Sequence, residues 1–389
     1  MSEWKEYKLG DLAEITSSKR IFYSEYVPKG IPFYRSKEII DLYNKREVAT
    51  ELFISENRFK EISEKFGAPK EDDILLTSVG SLGIPYKVKP NDKFYFKDGN
   101  LTWFRNIDKN KLLPDYLMYW LTSNIGKQKL DDIAIGSTQA ALTINGLKTI
   151  WIELPSINEQ KRIASILSSL DDKIDLLNRE NATLEAMAET LFRQWFIEEA
   201  KEDWEEMPLS SIATFLNGLA CQKYPPKNEI EKLPVLKIRE LTNGIGADSD
   251  WATTDVGDEY IVHAGDVVFA WSASLMVKIW DGEDCILNQH LFKVTSDKYL
   301  KWFYYFWCKH HLNEFISIAQ SHATTMGHIK RSDLDTAMVV VPSDDELRVM
   351  TAQMNSLFQK IENNSKQINT LTHTRNGLLP KLMSNEIAI

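Results

Sequence analysis

The residues of this chain best suited to chemistry are small polar and cationic ones in short loops, and they recur at matched places in its two halves. Gly136-Ser137-Thr138-Gln139 stands ahead of Pro155 as Ala323-Thr324-Thr325-Met326 stands ahead of Pro342, and the second loop runs on into Gly327-His328-Ile329-Lys330. Side chains such as Ser137, Thr138, Gln139, Thr324, Thr325, His328 and Lys330 offer donors and acceptors with little bulk. That is the inventory for touching phosphates and base edges. Lys19 and Arg20 in an early loop, Arg35 and Lys37 beside Pro32, and Lys237 and Arg239 beside Pro234 add cations able to contact guanine and phosphate. Asp98-Gly99-Asn100 and Asn288-Gln289-His290 form one more matched cluster, with Asn100, Gln289 and His290 as its contact candidates, and Ser81 joins them from the loop Ser78-Val79-Gly80-Ser81-Leu82-Gly83. A plainer reading competes with this one. The Gly136 and Ala323 loops could merely cap following helices whose first buried residues are Leu147 and Leu334, and most surface cations are simply solvated.

Nothing in the chain spells out a covalent or hydrolytic site. It has no glycine-rich phosphate loop, no Gly-x-Ser-x-Gly elbow, no His-Glu-x-x-His pair and no aromatic-capped Pro-Pro motif of the amino-methyltransferase kind. No catalytic residue and no metal ligand is therefore expected. His310-His311 sits in an aromatic run and reads as structural or solvated, and His322 and His328 have no carboxylate or cysteine at ligand spacing. Asp73 and Asp266, each ahead of an apolar strand, are the only hint of a nuclease-like acid, but an Asp there is ordinarily a turn residue. The three cysteines, Cys221, Cys285 and Cys308, are odd in number, far apart and confined to the second half, so they read as buried thiols.

Composition is that of a globular protein: 43% apolar and 26% charged over 389 residues, long enough for two domains. The formal charge of −10 argues against a generic polyanion binder, so any DNA-facing surface must be a patch on an acidic body. The N-terminus is polar and the longest apolar stretch, residues 267–277, is short and interrupted by serines, so no membrane segment is expected and the cytoplasm is the expected location.

The elements that must position these loops are written twice. Trp4-x4-Leu9-x2-Leu12-Ala13 returns as Trp204-x4-Leu209-x2-Ile212-Ala213, and Ile31-Pro32 with Lys37-Glu38-Ile39 returns as Leu233-Pro234 with Arg239-Glu240-Leu241. One constant offset carries Leu147 onto Leu334, Pro155 onto Pro342, Leu170 onto Leu357 and Leu191 onto Leu378. Short strand-like runs such as Ile74-Leu75-Leu76-Thr77, broken by Gly and Pro, and aromatic helix-like runs near residues 116–121 and 300–308 predict two compact mixed α and β modules. After each module the pattern turns helical. Ile163, Leu170, Leu177, Leu184 and Leu191 recur in steps of seven with Leu167, Ile174, Asn181, Ala188 and Trp195. Met350, Leu357, Asn364, Leu371 and Leu378 do so with Met354, Ile361, Ile368, Arg375 and Leu382. Both are coiled-coil seams, and the first, running from Ile157 to Glu199, predicts a rod of about 60 Å. Each seam holds one Asn where an apolar residue is expected. If the two helices run antiparallel about an approximate two-fold axis, Asn181 faces Asn364 and the pair sets the register. The predicted fold is α+β: two similar modules, 1–154 and 201–342, joined by spacer helices 155–200 and 343–389 in an antiparallel coiled coil with pseudo-two-fold symmetry.

This layout resembles the specificity subunit of a type I restriction-modification enzyme. The resemblance rests on the ordered duplication and on Pro155-Ser156-x2-Glu159-Gln160-x2-Ile163, which is similar to the start of that family's spacer helix. The second copy departs from the pattern with Leu347 and Met350. The resemblance implies that each module is a target recognition domain reading half of a split double-stranded DNA sequence. It also implies that the helices dock two methyltransferase subunits, through which restriction and motor subunits join. S-adenosylmethionine, ATP and Mg²⁺ would act in those partners, with no cofactor in this chain. A scaffold that binds only proteins through two modules is the alternative, and the acidic charge suits it.

Overall fold

A computed structural model of the chain describes residues 4–136, 140–246, 248–321 and 327–387. It divides into two compact units, Met1–Lys173 with Leu371–Ile389, and Ile174–Thr370. Each unit thus takes in one end of each long helix, Ile157–Arg193 and Asp344–Met383.

In the first unit an antiparallel sheet has the spatial order Glu14–Thr16, Leu101–Arg105, Ile74–Thr77 and Pro85–Lys87. All four residues of Ile74–Thr77 are buried, as an uninterrupted apolar run in a central strand requires. A second sheet runs Tyr26–Val27, Phe53–Ile54, Ile31–Tyr34, Tyr95–Phe96, with the last pair parallel. The second unit repeats the first sheet as Thr214–Asn217, Leu291–Thr295, Val267–Ala270 and Met276–Ile279. Its other sheet runs Trp251–Thr253, Lys232–Leu236, Cys285–Leu287, Ile261–Val262. The fourth strand therefore sits on opposite edges in the two units, beside Phe53–Ile54 in one and Cys285–Leu287 in the other. A short terminal pair closes each unit, Lys5–Lys8 with Trp151–Leu154 and Glu205–Pro208 with Met338–Val341.

Asp73 and Asp266 do the same local job. Their carboxylates accept from the amides of Lys70 and His263 at 3.1 and 2.9 Å, closing the turn that leads into the central strand. Asp73 also accepts from the Trp103 indole at 2.9 Å, and burial raises its carboxyl above the ordinary value. Both are turn residues.

The aromatic runs are helices and core. Pro114–Thr122 starts with a proline that lacks an amide the first turn would not use, and it buries Tyr116, Leu117, Trp120 and Leu121. Lys301–His310 buries every residue from Trp302 to Cys308. His311 is structural, its ring bonded to the Met338 carbonyl at 2.9 Å and to Glu314 at 3.1 Å. The three cysteines are free and buried, and burial pushes each thiol up, which favours the protonated form.

The long helices complete these cores. Ile163, Leu167, Leu382 and Met383 belong to the first unit's core, and Ala188, Phe192, Phe196, Met354 and Phe358 to the second's. A fully buried Leu or Phe contributes about 1.5–3 kcal/mol, so each helix end is held by its unit rather than standing free. Every seam residue named above is buried or half-buried. The helices are antiparallel: in the second unit Asn181 meets Asn364, Trp195 shares a recess with Met350, and Lys201 pairs with Glu346. In the first unit Arg375 pairs with Asp171 at 3.0 Å and Leu382 shares the core of Ile163. The first helix is α-helical to Arg193 and ends in a π-helical turn, Gln194–Glu198. Among the described residues no helix is long and apolar enough to cross a membrane.

The start of the first long helix explains its Gln160. Fully buried, that side chain accepts from the Leu113 amide at 2.9 Å and donates to the carbonyls of Lys111 and Pro155 at 2.8 and 3.1 Å. It satisfies a buried loop that has no ladder partner. At the matched place in the second unit Leu347 packs against the core instead.

Candidate nucleic-acid interface

In the first unit, backbone bonds lash three loops together at the end of the central strand. The Ser78 amide donates to the Asn100 carbonyl at 2.8 Å, the Leu142 amide donates to the Ser78 carbonyl at 2.8 Å, and Ala141 bridges both Val79 and Ile135. Gly80 and Gly83, at φ +81° and +75°, let the chain reverse there. Exposed Ser81 lies three residues past Ser78, in the loop whose start is bonded to the half-buried Asn100. Ile135 and Ala141 are bridged to each other, and Ser137, Thr138 and Gln139 lie outside the described residues.

Asn100 also borders an open recess of about 470 Å³ with Arg35, Ser36, Lys37, Ala49 and Glu51. Lys37 is exposed there. Arg35 is committed inward: its guanidinium and amide bond the fully buried Glu38 at 2.7 and 2.8 Å. Burial pushes the Glu38 carboxyl up, but these bonds outweigh it and hold the group below the ordinary range. Arg20 pairs with Asp98 at 3.0 Å while its side chain stays 69% exposed, so a stronger anion could take it over. Lys19 is exposed, its ammonium 4.6 Å from the Phe66 ring centre.

The second unit lashes its loops in the same way with different side chains. Ser272 bridges His328, the Ala273 amide donates to the Gly327 carbonyl at 2.8 Å, the Ile329 amide to the Trp271 carbonyl at 3.1 Å, and the Trp271 amide to the His290 carbonyl at 3.3 Å. Trp271 is the hub. Its indole donates to Asn217 at 3.0 Å, its ring stacks on Phe292, and the rings of His290 and His328 lie 6.1 and 6.2 Å away. His290 bonds the Ser272 hydroxyl at 3.0 Å and approaches Gln289 at 3.3 Å. Gln289, His290 and His328 therefore form one group. Lys330 is exposed at the start of the helix Arg331–Thr336, where its amide donates to Asp333 at 2.7 Å. Thr324 and Thr325 lie outside the described residues. Lys237 pairs with Asp250, and Arg239 with the buried Glu240 at 2.6 Å and with the Asp248 carbonyl at 2.6 Å.

Asn217, Trp271 and Ser272 are the members of this group that motif reading missed. A usable signal existed. Trp271-Ser272 follows its buried strand as Ser78-Val79 follows Ile74–Thr77, so the repeat itself marks the position. Among the described residues no group of three or more His, Cys, Asp or Glu is placed to hold a metal ion.

The family model for the type I restriction modification DNA specificity domain matches residues 1–186 and again 201–373. The chain is 28% identical over 419 residues to the type I restriction enzyme MjaIX specificity subunit of Methanocaldococcus jannaschii, covering 100% of this chain and 94% of that protein. It is 21% identical over 481 residues to the HindI specificity subunit of Haemophilus influenzae, covering 100% of each. The solved structure of a type I restriction-modification S subunit from M. genitalium has the same fold, with a TM-score of 0.55 over 98% of this chain and 96% of that one at 15% identity.

Proposed function

We infer the function from one premise: the chain belongs to the type I restriction modification DNA specificity domain family, with one match to the domain in each half. It is the DNA sequence-specificity subunit of a type I restriction-modification complex, and each unit reads one part of a two-part target. The observation that carries this reading is a loop cluster built on the same backbone bonds in both units but furnished differently, Ser81, Asn100 and Lys37 in one and Trp271, Gln289, His290 and His328 in the other. One scaffold with two sets of donors and acceptors suits two unlike half-sites. On a chain of net charge −10, contact with DNA must come from local surfaces, and these loop clusters supply donors and acceptors for it.

The paired helices set the unspecified gap and dock two methyltransferase subunits, through which restriction subunits join in the cytoplasm. S-adenosylmethionine, ATP and Mg²⁺ act in those partners, and this chain positions the DNA without catalysing a step. Methylome sequencing of cells expressing the chain with its neighbouring methyltransferase should return two short specified segments separated by a fixed gap. A single continuous motif would overturn the reading. Deleting one heptad from both helices should shorten the gap by about three base pairs, since seven residues span about 10 Å and a base pair about 3.4 Å.

A further inference from the structure

We propose that Phe22 and Tyr23 form an aromatic wedge with which the first unit unstacks, and then stacks upon, a base step in its half-site. The proposal rests on the DNA-reading function above and adds a contact that none of the polar loops supplies. Phe22 is 61% and Tyr23 89% exposed, side by side at a loop tip. Two adjacent rings left in water are unfavourable unless something covers them.

The tip is stiff. Tyr23–Glu25 is a single 3₁₀ turn in which the Glu25 amide donates to the Phe22 carbonyl at 2.9 Å and the Phe22 amide to the Glu25 carboxylate at 2.7 Å. Arg58 grips the same carboxylate at 2.7 Å. Tyr23 stands edge-on to Tyr26 at 6.2 Å, and Tyr26 leans on the buried Phe33 at 5.2 Å, so the wedge is backed by the core. Buried Ile21 anchors the loop just before it.

The surroundings fit a nucleic acid rather than an apolar protein groove. Lys19 and Arg20 directly precede the wedge, and Arg20 reaches Asp98 in the loop that holds Asn100. Cations that can hold phosphates thus flank rings that can cover base faces, the pairing that wedge-using DNA binders employ. Among the described residues, the matched place in the second unit does not carry the device. Its matching turn, Cys221–Lys223, turns Cys221 inward, and Tyr224 after it is only 36% exposed. The wedge therefore acts on one half-site, and the other serves as an internal control.

The test uses the full chain with its methyltransferase partners and a duplex bearing the methylation-mapped target, with 2-aminopurine placed base by base through each half-site. The unsubstituted complex should change the fluorescence at one step of the first half-site. Phe22→Ala with Tyr23→Ala should abolish that signal and weaken binding roughly tenfold or more. Tyr23→Trp should preserve both, and probes in the second half-site should read alike in all variants. Unchanged fluorescence and affinity in the double variant, with sequence discrimination intact, overturns the wedge and leaves the specificity function standing. Loss of methyltransferase from the double variant on size-exclusion chromatography also overturns it, showing a protein-docking patch. Failure of the unsubstituted complex to distinguish target from scrambled duplex would instead defeat the DNA-reading function itself.

Discussion

The two units tie their loops with matching backbone bonds and differ in the side chains at the tips. Both tie the end of the central strand to a neighbouring hairpin and to the segment before a short helix, through Ser78, Asn100 and Ala141 in one and Trp271, His290 and His328 in the other. Amide bonds hold these loops in place, and amides are indifferent to side-chain identity. The tips can therefore change from serine and asparagine to tryptophan and histidine without disturbing what supports them. Buried acids show the same freedom one layer down. Glu38 is held by Arg35 and Glu240 by Arg239, so the matched carboxylates draw their cations from different positions.

The cores beneath the tips differ more in content than in role, and substitutions there should have the largest effects. Phe303→Ala in the aromatic core of the second unit should cost about 3–5 kcal/mol and Leu117→Ala in the first about 2–5 kcal/mol. Urea denaturation followed by tryptophan fluorescence measures both, and a midpoint unmoved by either change would deny that helix its core role.

Next comes the place where the repeat diverges. Gln160→Leu should cost about 1–3 kcal/mol in all, because it leaves buried backbone groups without their partner. Leu347→Gln should cost less, because its position is half-buried and water can reach the new amide. Equal losses would mean that the two helix starts are not organised differently after all.

The seam compares with itself. Asn364 donates to Asn181 at 2.9 Å and also to Glu180 at 3.1 Å, while Asn181 donates to Ser365 at 3.3 Å. Asn181→Leu with Asn364→Leu should keep or raise stability by about 1 kcal/mol while admitting a second register. Spin-label distances across the helices would reveal it as a second population, and a single unchanged distance would remove the pair's role in register.

The smallest effect is electrostatic. Bonds from Lys201 and Ser343 hold the Glu346 carboxyl down to about 2 against an ordinary 4.5. Its charged form is favoured in the folded chain, so its contribution is present above the ordinary value and fades as pH falls from 4.5 towards about 2. Glu346→Gln should flatten that part of an acid-unfolding curve, and an unaltered curve would show that solvent screens the pair entirely.

Much of this was legible in the residue order because the signals were local or periodic. Seven-residue spacing announced both long helices, an antiparallel alignment of the seams set Asn181 against Asn364, and the Asp73 and Asp266 turns follow from side chains that reach an amide three residues back. The aromatic runs announced buried helices for the same reason. What the linear order left open are bonds between residues far apart in the chain. Trp271 with Asn217, His290 with Ser272, Gln160 with the Lys111–Leu113 loop, and the opposite edges taken by Tyr26–Val27 and Ile261–Val262 were all decided in three dimensions. A repeat and its heptads need only spacing to be seen, whereas a hydrogen bond between residues far apart in the chain needs the chain to pack first, and only the packed chain says which distant partner is then within reach.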